Sequence, residues 1–242
     1  MSLYERITEN PSKQFAVLVD PEQCQEGMMK NLVTLASNAS VDFILVGGSL
    51  LVNDHLDKCL SLIRKETSIP LILFPGSEMQ INGKADAILL LSLISGRNPE
   101  LLIGKHVLAA PYLKASGLEI LPTGYMLIES GNSTTALYMS NTIPIPRDKN
   151  DIAVCTALAG EMLGLKLVYM DAGSGAAQPI PLSMIRSVKN ELSVPLIVGG
   201  GIRTPEAARD SCRAGADMIV VGTAIEKDAQ LISEIAAAVK EL

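Results

Sequence analysis

The chain has 242 residues, a formal net charge of −6 and a hydrophobic content of 48%. At this length we expect residues 1–242 to form a single α/β domain with a sizeable buried core. The acidic balance argues against non-specific nucleic-acid binding, which depends on Lys and Arg neutralising phosphates. Because the chain has no long uncharged apolar run and no apolar signal-peptide core at its start, we expect a cytoplasmic protein without a spanning helix.

Short apolar runs predict eight strands, at about residues 15–19, 42–46, 71–74, 87–91, 125–128, 166–170, 196–198 and 218–221. The runs are continuous rather than alternating, as is typical of strands that are covered on both faces. Because they alternate mostly with helical segments, they predict a closed parallel (β/α)8 barrel of the TIM type. An open doubly wound sheet is the alternative.

Three helices have recognisable signals. Thr204-Pro205-Glu206 combines an N-cap residue, a proline at the first helical position and an acid in the first turn, where the helix dipole is positive. Gly215 stands where that helix should end. Residues 152–163 form a second candidate, followed by Gly164. Residues 228–242 predict a terminal amphipathic helix.

Two stretches break the regular alternation. Only twelve residues, 75–86, separate the third and fourth strands, whereas a parallel crossover usually needs at least that many and includes a helix. The third helix is therefore expected to be shortened or replaced by an extended segment. Residues 129–150 are rich in Ser, Thr, Asn and Pro, and we expect a role in function or assembly, with a disordered excursion as the alternative.

Glycines follow the sixth, seventh and eighth predicted strands, at the end of the barrel where active sites are built. Without side chains, their backbone N–H groups can approach phosphate oxygens closely. Tight βα turns alone would explain one such loop, but three in succession favour a phosphate site. The candidate binding residues are Tyr169, Met170, Asp171, Ala172, Gly173, Ser174, Gly175, Gly200, Gly201, Gly222 and Thr223.

Four side chains are candidates for chemistry. Asp20, after the first strand, and Ser49, after the second, could hold Mg²⁺ together with waters and substrate phosphate. A strand-end turn cap for Asp20 and a helix N-cap for Ser49 are the alternatives. Asp171 could bind a substrate hydroxyl, act as a general base or satisfy donors in its own loop. Arg203 could contact phosphate or pair with a surface acid.

Segments along nearly the whole chain resemble the geranylgeranylglyceryl phosphate synthases, with the heptaprenylglyceryl phosphate synthases as near relatives. The stretches NTIPIPRD and GEMLG are similar to those of the family's second group. The other segments that carry the resemblance are FAVLVDP, ILVGGS, LISGRNPELLIG, LPTGYMLIESG, ALAGEMLGLKLVYMDAGSGA, VGGGIRTPEAA and VGTAIE.

The resemblance implies a prenyl transfer. In that reaction the C3 hydroxyl of sn-glycerol 1-phosphate attacks C1 of geranylgeranyl diphosphate, an ether forms and diphosphate leaves. It also implies Mg²⁺ at Asp20 and Ser49, glycerol phosphate on the loops named above, and a homo-oligomer, dimeric or hexameric. It leaves room for a transient membrane contact to hand over the lipid product. The chain departs from the family motif at Asp171, where glutamate is expected, and at Glu22-Gln23, which lacks a lysine.

Two other hypotheses for the function stay open. The chain could be another phosphate-ester enzyme on the same barrel, such as an isomerase or aldolase. A Schiff-base aldolase would need a lysine inside the barrel, and Lys166 begins a predicted strand instead of ending one. A non-catalytic phosphate-binding protein is the remaining alternative.

Overall fold

The computed structural model describes residues 1–53 and 55–242. Eight parallel strands form one closed barrel in chain order, so the barrel prediction is confirmed and the open sheet is wrong. The strands are β1 Gln14–Val19, β2 Phe43–Val46, β3 Leu71–Leu73, β4 Ala87–Leu93, β5 Glu119–Leu127, β6 Leu167–Asp171, β7 Leu196–Gly199 and β8 Met218–Val221.

Helices surround the barrel. They are α1 Leu3–Thr8, α2 Glu26–Asn38, α3 Leu56–Glu66, α4 Gly104–Ser116, α5 Thr135–Ser140, α6 Asn150–Met162, α7 Leu182–Glu191, α8 Pro205–Arg213, α9 Thr223–Lys227 and α10 Leu231–Lys240, with 3-10 turns at Pro21–Gln23 and Pro99–Leu101. Among the described residues, no helix is long and apolar enough to cross a membrane.

The predicted helix signals act locally. The Thr204 hydroxyl accepts a hydrogen bond from the Ala207 N–H at 3.2 Å, which caps α8. Gly164 follows α6 with a φ of +87° and Gly215 follows α8 with a φ of +124°, conformations that side chains with a Cβ rarely adopt. The expected terminal helix is shorter than predicted, because α10 covers only Leu231–Lys240.

The start of the fifth strand was predicted too late. β5 begins at Glu119 rather than near residue 125, because it pairs with β4 from Ala87–Glu119 to Leu93–Tyr125. Pro122 and Gly124 lie inside this strand, and both residues are usually depleted in strands. The local composition of residues 119–124 therefore gave no strand signal, although pairing with β4 makes them part of the sheet.

Two apolar layers make the core. One cluster fills the barrel interior and includes Phe43, Leu45 and Leu121, while a larger cluster packs between the strands and the surrounding helices. The amino-terminal helix α1 closes the lower end of the barrel, the end at which the strands begin, since Leu3 and Tyr4 pack against the interior cluster. Their backbone N–H groups donate to the Glu119 carboxylate at 2.6 and 2.8 Å.

The connection between β3 and β4 contains no helix. Residues 74–86, all of them described, form turns, bends and irregular backbone without a helix, as the short spacing predicted. As a result, outward-facing side chains of β4 such as Leu90 and Ser92 are only partly buried. The side of the barrel between this segment and α4 is open.

Residues 129–150 are not a structureless loop. They include α5, and the bridge between Ile128 and Ile145 runs beside the end of β5. Glu129 N–H donates to the Ile145 carbonyl at 2.9 Å, and Ile145 N–H donates to the Leu127 carbonyl at the same distance. The segment is therefore fastened to the end of the barrel that carries the glycine loops.

Candidate functional site

The three predicted glycine loops touch one another at the carboxyl end of the barrel. Gly200 has a φ of +78°, and a Cβ on it would lie 2.7 Å from both Asp171 Oδ1 and Gly173 N. A Cβ on Gly201 would lie 2.8 Å from Pro179 N. Glycine is therefore required by contact between the loops after β6 and β7, in addition to their turn geometry.

The loop after β8 completes this group. The hydroxyls of Ser174 and Thr223 lie 3.1 Å apart, which joins the loop after β6 to the start of α9. Gly222 is the N-cap residue of α9, so the first N–H groups of that helix have no partner within the helix. The three loops together present backbone N–H groups and two hydroxyls around one spot.

The loop after β5 supports this arrangement from the side. The Asn132 side chain donates to the Gly175 carbonyl and accepts from the Ala177 N–H, both at 3.2 Å. Thr134 fills the space beside Gly173, where a Cβ would lie 2.6 Å from the threonine Oγ1. The polar stretch after β5 therefore holds the glycine loop after β6 in place.

A cavity of about 1090 Å³ opens above these loops. Most of the predicted site residues line it: Asp20, Ser49, Tyr169, Asp171, Gly173, Ser174, Gly175, Gly200, Gly201, Gly222 and Thr223. Two predicted residues are placed differently, because the side chains of Met170 and Ala172 belong to the core cluster between the barrel and the helices. Neither residue is among those that line the cavity.

Arg203 lines the cavity and forms no ion pair with a surface acid among the described residues. Its guanidinium donates to the Ala176 carbonyl at 2.5 Å. The side chain thus links the loop after β7 to the loop after β6, and its visible role is to hold the two loops together.

Asp171 ends β6 and is 6% exposed. Its Oδ2 accepts a hydrogen bond from the Tyr125 hydroxyl at 2.5 Å, and its Oδ1 accepts one from the Gly173 N–H at 2.7 Å. Burial raises the pKa of Asp171, while the Tyr125 hydroxyl and the Gly173 N–H act in the opposite direction. One of the roles considered for Asp171, satisfying a donor in its own loop, is therefore present in the structure, together with a raised basicity.

An aromatic cluster beneath Asp171 was missed from the sequence. Phe74 stacks on Tyr169 with ring centroids 5.1 Å apart, and Tyr125 lies 5.7 Å from Tyr169. All three residues line the floor of the cavity. Tyr125 lay at the start of the predicted fifth strand, but nothing in the local sequence indicated that its ring packs inside the barrel beside Tyr169 and Asp171.

Asp20 and Ser49 both line the cavity, on the side away from the glycine loops after β6 and β7. Asp20 caps the following 3-10 turn, since its Oδ1 accepts from the Glu22 N–H at 3.0 Å. A Cβ on Gly48 would lie 3.4 Å from the same oxygen, so the carboxylate faces the loop that carries Ser49. The helix N-cap alternative for Ser49 is wrong, because α3 begins at Leu56 with His55 as its cap.

A second carboxylate near Asp20 was also missed. Glu226 on α9 lines the same cavity. Burial and then the charge of Asp20 raise the pKa of Glu226, and burial raises the pKa of Asp20. The acid at the end of the VGTAIE segment was visible in the sequence, but only the closed barrel brings β8 beside β1.

The cavity continues as an apolar groove along the open side of the barrel. Ile88 and Leu90 of β4 form one wall and Ala109 and Leu113 of α4 form the other. His106 lies between them with Nε2 3.2 Å from the Ser92 hydroxyl, and burial lowers the pKa of its imidazole, which favours the neutral form. The groove is thus an extended apolar channel that joins a polar mouth.

Comparison with known protein families assigns the chain to one of them. Residues 6–239 match the model of the PcrB family. The chain belongs to the PcrB family. The resemblance seen in the sequence is therefore confirmed over nearly the whole chain.

Individual relatives of this PcrB family member carry one name. A geranylgeranylglyceryl phosphate synthase from Chitinophaga pinensis is 57% identical over 227 residues, which cover 94% of this chain and 90% of the relative. One from Spirosoma linguale is 54% identical over 229 residues, covering 95% and 92%. These relatives are synthases, and the expectation that the chain is an enzyme of this family is confirmed.

A solved structure supports the same family membership. The (S)-3-O-geranylgeranylglyceryl phosphate synthase from Thermoplasma acidophilum, crystallised with its substrate sn-glycerol-1-phosphate, superposes on this PcrB family member with a TM-score of 0.94. It is 37% identical, and the match covers 100% of both chains.

Proposed function

We propose that the protein joins geranylgeranyl diphosphate to the C3 hydroxyl of sn-glycerol 1-phosphate, producing geranylgeranylglyceryl phosphate for ether lipid synthesis. The observation that carries the proposal is the continuity of the cavity. A polar mouth of three glycine loops opens into an apolar groove, and a substrate pair of one small phosphate ester and one long prenyl chain needs both. The named activity of the relatives and the glycerol 1-phosphate bound in the Thermoplasma acidophilum enzyme support it.

Sn-glycerol 1-phosphate is assigned to the three glycine loops. The phosphate would accept hydrogen bonds from main-chain N–H groups around Gly201 and Gly222 and from the hydroxyls of Ser174 and Thr223. Because these loops are held by Arg203 and Asn132, the binding geometry exists before the ligand arrives. Such preorganisation lowers the entropy cost of binding a small ligand.

The prenyl tail is assigned to the apolar groove between β4 and α4. Its walls are Ile, Leu and Ala side chains, so burial of the hydrocarbon supplies the affinity. The absence of a helix between β3 and β4 is what leaves room for the tail beside the barrel. The diphosphate end would then lie at the mouth, between Asp20 and the glycine loops.

The residues around Asp20 fit a magnesium ion. Only Oδ1 of the Asp20 carboxylate is used in capping the turn, the Ser49 loop faces that carboxylate, and oxygen donors are what Mg²⁺ prefers. When bound, the ion would offset the negative charge that develops on the leaving diphosphate. Asp20 and Ser49 would hold it.

Asp171 is the group we assign to the proton of the attacking hydroxyl. Burial raises its pKa toward the range in which a carboxylate works as a base, and Tyr125 and Gly173 fix its orientation. The hydroxyl proton passes to Asp171 as the new C–O bond forms and the C–O bond to diphosphate breaks. Holding the hydroxyl near C1 supplies part of the rate by orientation.

The test is incubation of purified protein with sn-glycerol 1-phosphate, Mg²⁺ and prenyl diphosphates of several lengths, followed by analysis of the extracted lipid. We expect an ether product with geranylgeranyl diphosphate, and absence of product with every donor would refute the proposal. Asp20→Asn should lose turnover while keeping glycerol phosphate affinity. Equal loss of both would mean that Asp20 is structural.

Three further expectations complete the proposal: a cytoplasmic location, a homo-oligomer and a transient membrane contact for the product. The exposed apolar side chains of Val107, Leu108 and Tyr112 on α4 support association with a second surface. Sedimentation velocity would measure the oligomeric state, and a monomer at all concentrations would overturn that expectation.

The Schiff-base aldolase alternative loses support from the position of Lys166. This lysine lies before β6, and its amine sits 5.0 Å from the centre of the Tyr4 ring. Tyr4 belongs to α1, which closes the lower end of the barrel. Lys166 is therefore at the opposite end from the cavity.

A further inference from the structure

The connection between β3 and β4, residues 74–86, also touches the loop that carries Ser49. Gln80 lies in this segment, and its side-chain Nε2 donates to the Gly48 carbonyl at 3.0 Å. Gly76 of the same segment lies so close that a Cβ on it would be 2.7 Å from the Ser49 carbonyl oxygen and nearer still to that of Gly48. The Gly48–Ser49 backbone is thus held from one side by two residues of the β3–β4 connection.

The hydrogen bond from Gln80 acts on the peptide unit that positions Ser49. The Gly48 carbonyl and the Ser49 N–H belong to one planar group. Fixing the carbonyl therefore fixes the plane that contains the Ser49 Cα, which sets where the Ser49 side chain begins and leaves fewer directions open to it. On the other face of this loop lies the Asp20 carboxylate.

The cost of placing glutamine at this position indicates a role beyond packing. Gln80 is 4% exposed, and its Oε1 has no hydrogen-bond partner among the described residues. A buried acceptor without a partner destabilises the fold, whereas an apolar side chain of the same length would not carry that cost. The Nε2 bond to Gly48 is the compensating interaction in the structure.

We propose that Gln80 is a positioning residue for the cation site, acting by orienting the Gly48–Ser49 peptide. This inference rests on the proposed function, because it requires that Asp20 and Ser49 hold a divalent cation. Groups that orient metal ligands without touching the metal typically change metal affinity by about 10- to 100-fold when they are removed.

Gln14 offers a matched control. It is also a buried glutamine, 2% exposed, with Nε2 donating to a backbone carbonyl, that of Arg6, at 2.9 Å, and with Oε1 unpartnered among the described residues. It begins β1, at the end of the barrel opposite the cavity. Gln80→Met and Gln14→Met therefore remove the same kind of bond at opposite ends of the barrel.

The experiment titrates Mn²⁺ into each protein and measures free Mn²⁺ by electron paramagnetic resonance, with thermal unfolding and sn-glycerol 1-phosphate titration in parallel. We expect Gln80→Met to weaken Mn²⁺ binding about tenfold or more, with glycerol phosphate affinity unchanged. Gln14→Met should match the wild type in both, and the two variants should lose similar thermal stability. If Gln80→Met unfolds, Gln80→Asn, which keeps the amide but shortens its reach, should show a smaller loss in the same direction.

The outcomes separate the two proposals. Wild-type Mn²⁺ affinity in Gln80→Met, with binding lost in Asp20→Asn, would overturn the positioning role and leave the cation site intact. Equal weakening in Gln80→Met and Gln14→Met would also overturn it, because the effect would then follow stability. No Mn²⁺ binding by the wild type, or unchanged binding in Asp20→Asn, would overturn the cation site itself and the inference with it.

Discussion

Replacing Gly200 by alanine should both destabilise the fold and weaken binding of the phosphate ligand. A control variant with the same backbone cost separates the two effects. The added methyl carbon would lie 2.7 Å from Asp171 Oδ1 and from Gly173 N. A φ of +78° costs a residue with a Cβ about 1–2 kcal/mol, and overlap with the neighbouring loop adds about 1–3 kcal/mol. The free energy of unfolding should therefore fall by about 2–5 kcal/mol, which lowers Tm by about 4–20 °C at this chain length.

Gly117→Ala is the matched control. Gly117 has a φ of +76°, and a Cβ on it would meet no heavy atom within 4 Å. It joins α4 to β5 at the end of the barrel opposite the cavity. Only the backbone cost of about 1–2 kcal/mol should appear, or about 2–8 °C in Tm.

Binding of sn-glycerol 1-phosphate, measured by isothermal titration calorimetry, distinguishes the two variants. Displacing one N–H from the phosphate removes a hydrogen bond to a charged group worth about 1.5–3 kcal/mol. Affinity in Gly200→Ala should therefore fall by roughly 10- to 150-fold, while Gly117→Ala binds as the wild type does. The reasoning would be refuted by a folded Gly200→Ala protein with wild-type affinity, or by an equal loss of binding in the control.

Three other substitutions test the remaining parts of the site. Tyr125→Phe removes the donor to Asp171 and should cost about 1.5–3 kcal/mol in urea unfolding, with a fall in kcat; unchanged values for both would contradict the assigned contact. Burial raises the pKa of Asp171 in the folded protein, so the folded state holds the proton more tightly than the unfolded chain, and its contribution to stability declines as pH rises through the raised pKa. Asp171→Asn should flatten that decline in thermal unfolding measured from acidic to neutral pH, and should abolish turnover. An unaltered pH profile of Tm would argue against a raised pKa at Asp171. Ala109→Phe should fill the groove and raise KM for geranylgeranyl diphosphate by about tenfold or more, leaving glycerol phosphate affinity unchanged, whereas an equal effect on both substrates would place the tail elsewhere.

Sequence patterns determined most of the fold. Seven strands were predicted within about two residues of their observed bounds, because strands buried on both faces appear as continuous apolar runs. The absence of a helix between β3 and β4 followed from the length of that connection. The glycine loops were also visible, since glycine is a local signal of close backbone approach and the ends of barrel strands are known positions.

Only the tertiary structure decided which side chains meet. Tyr125 and Asp171 are 46 residues apart, Gln80 and Gly48 are 32 apart, and Asn132 and Gly175 are 43 apart. No periodicity connects such pairs, because each contact depends on the register of neighbouring strands and the path of the loops. The same reason explains the late predicted start of β5, whose first residues are strand only because β4 pairs with them, and the turn of Arg203 toward a carbonyl.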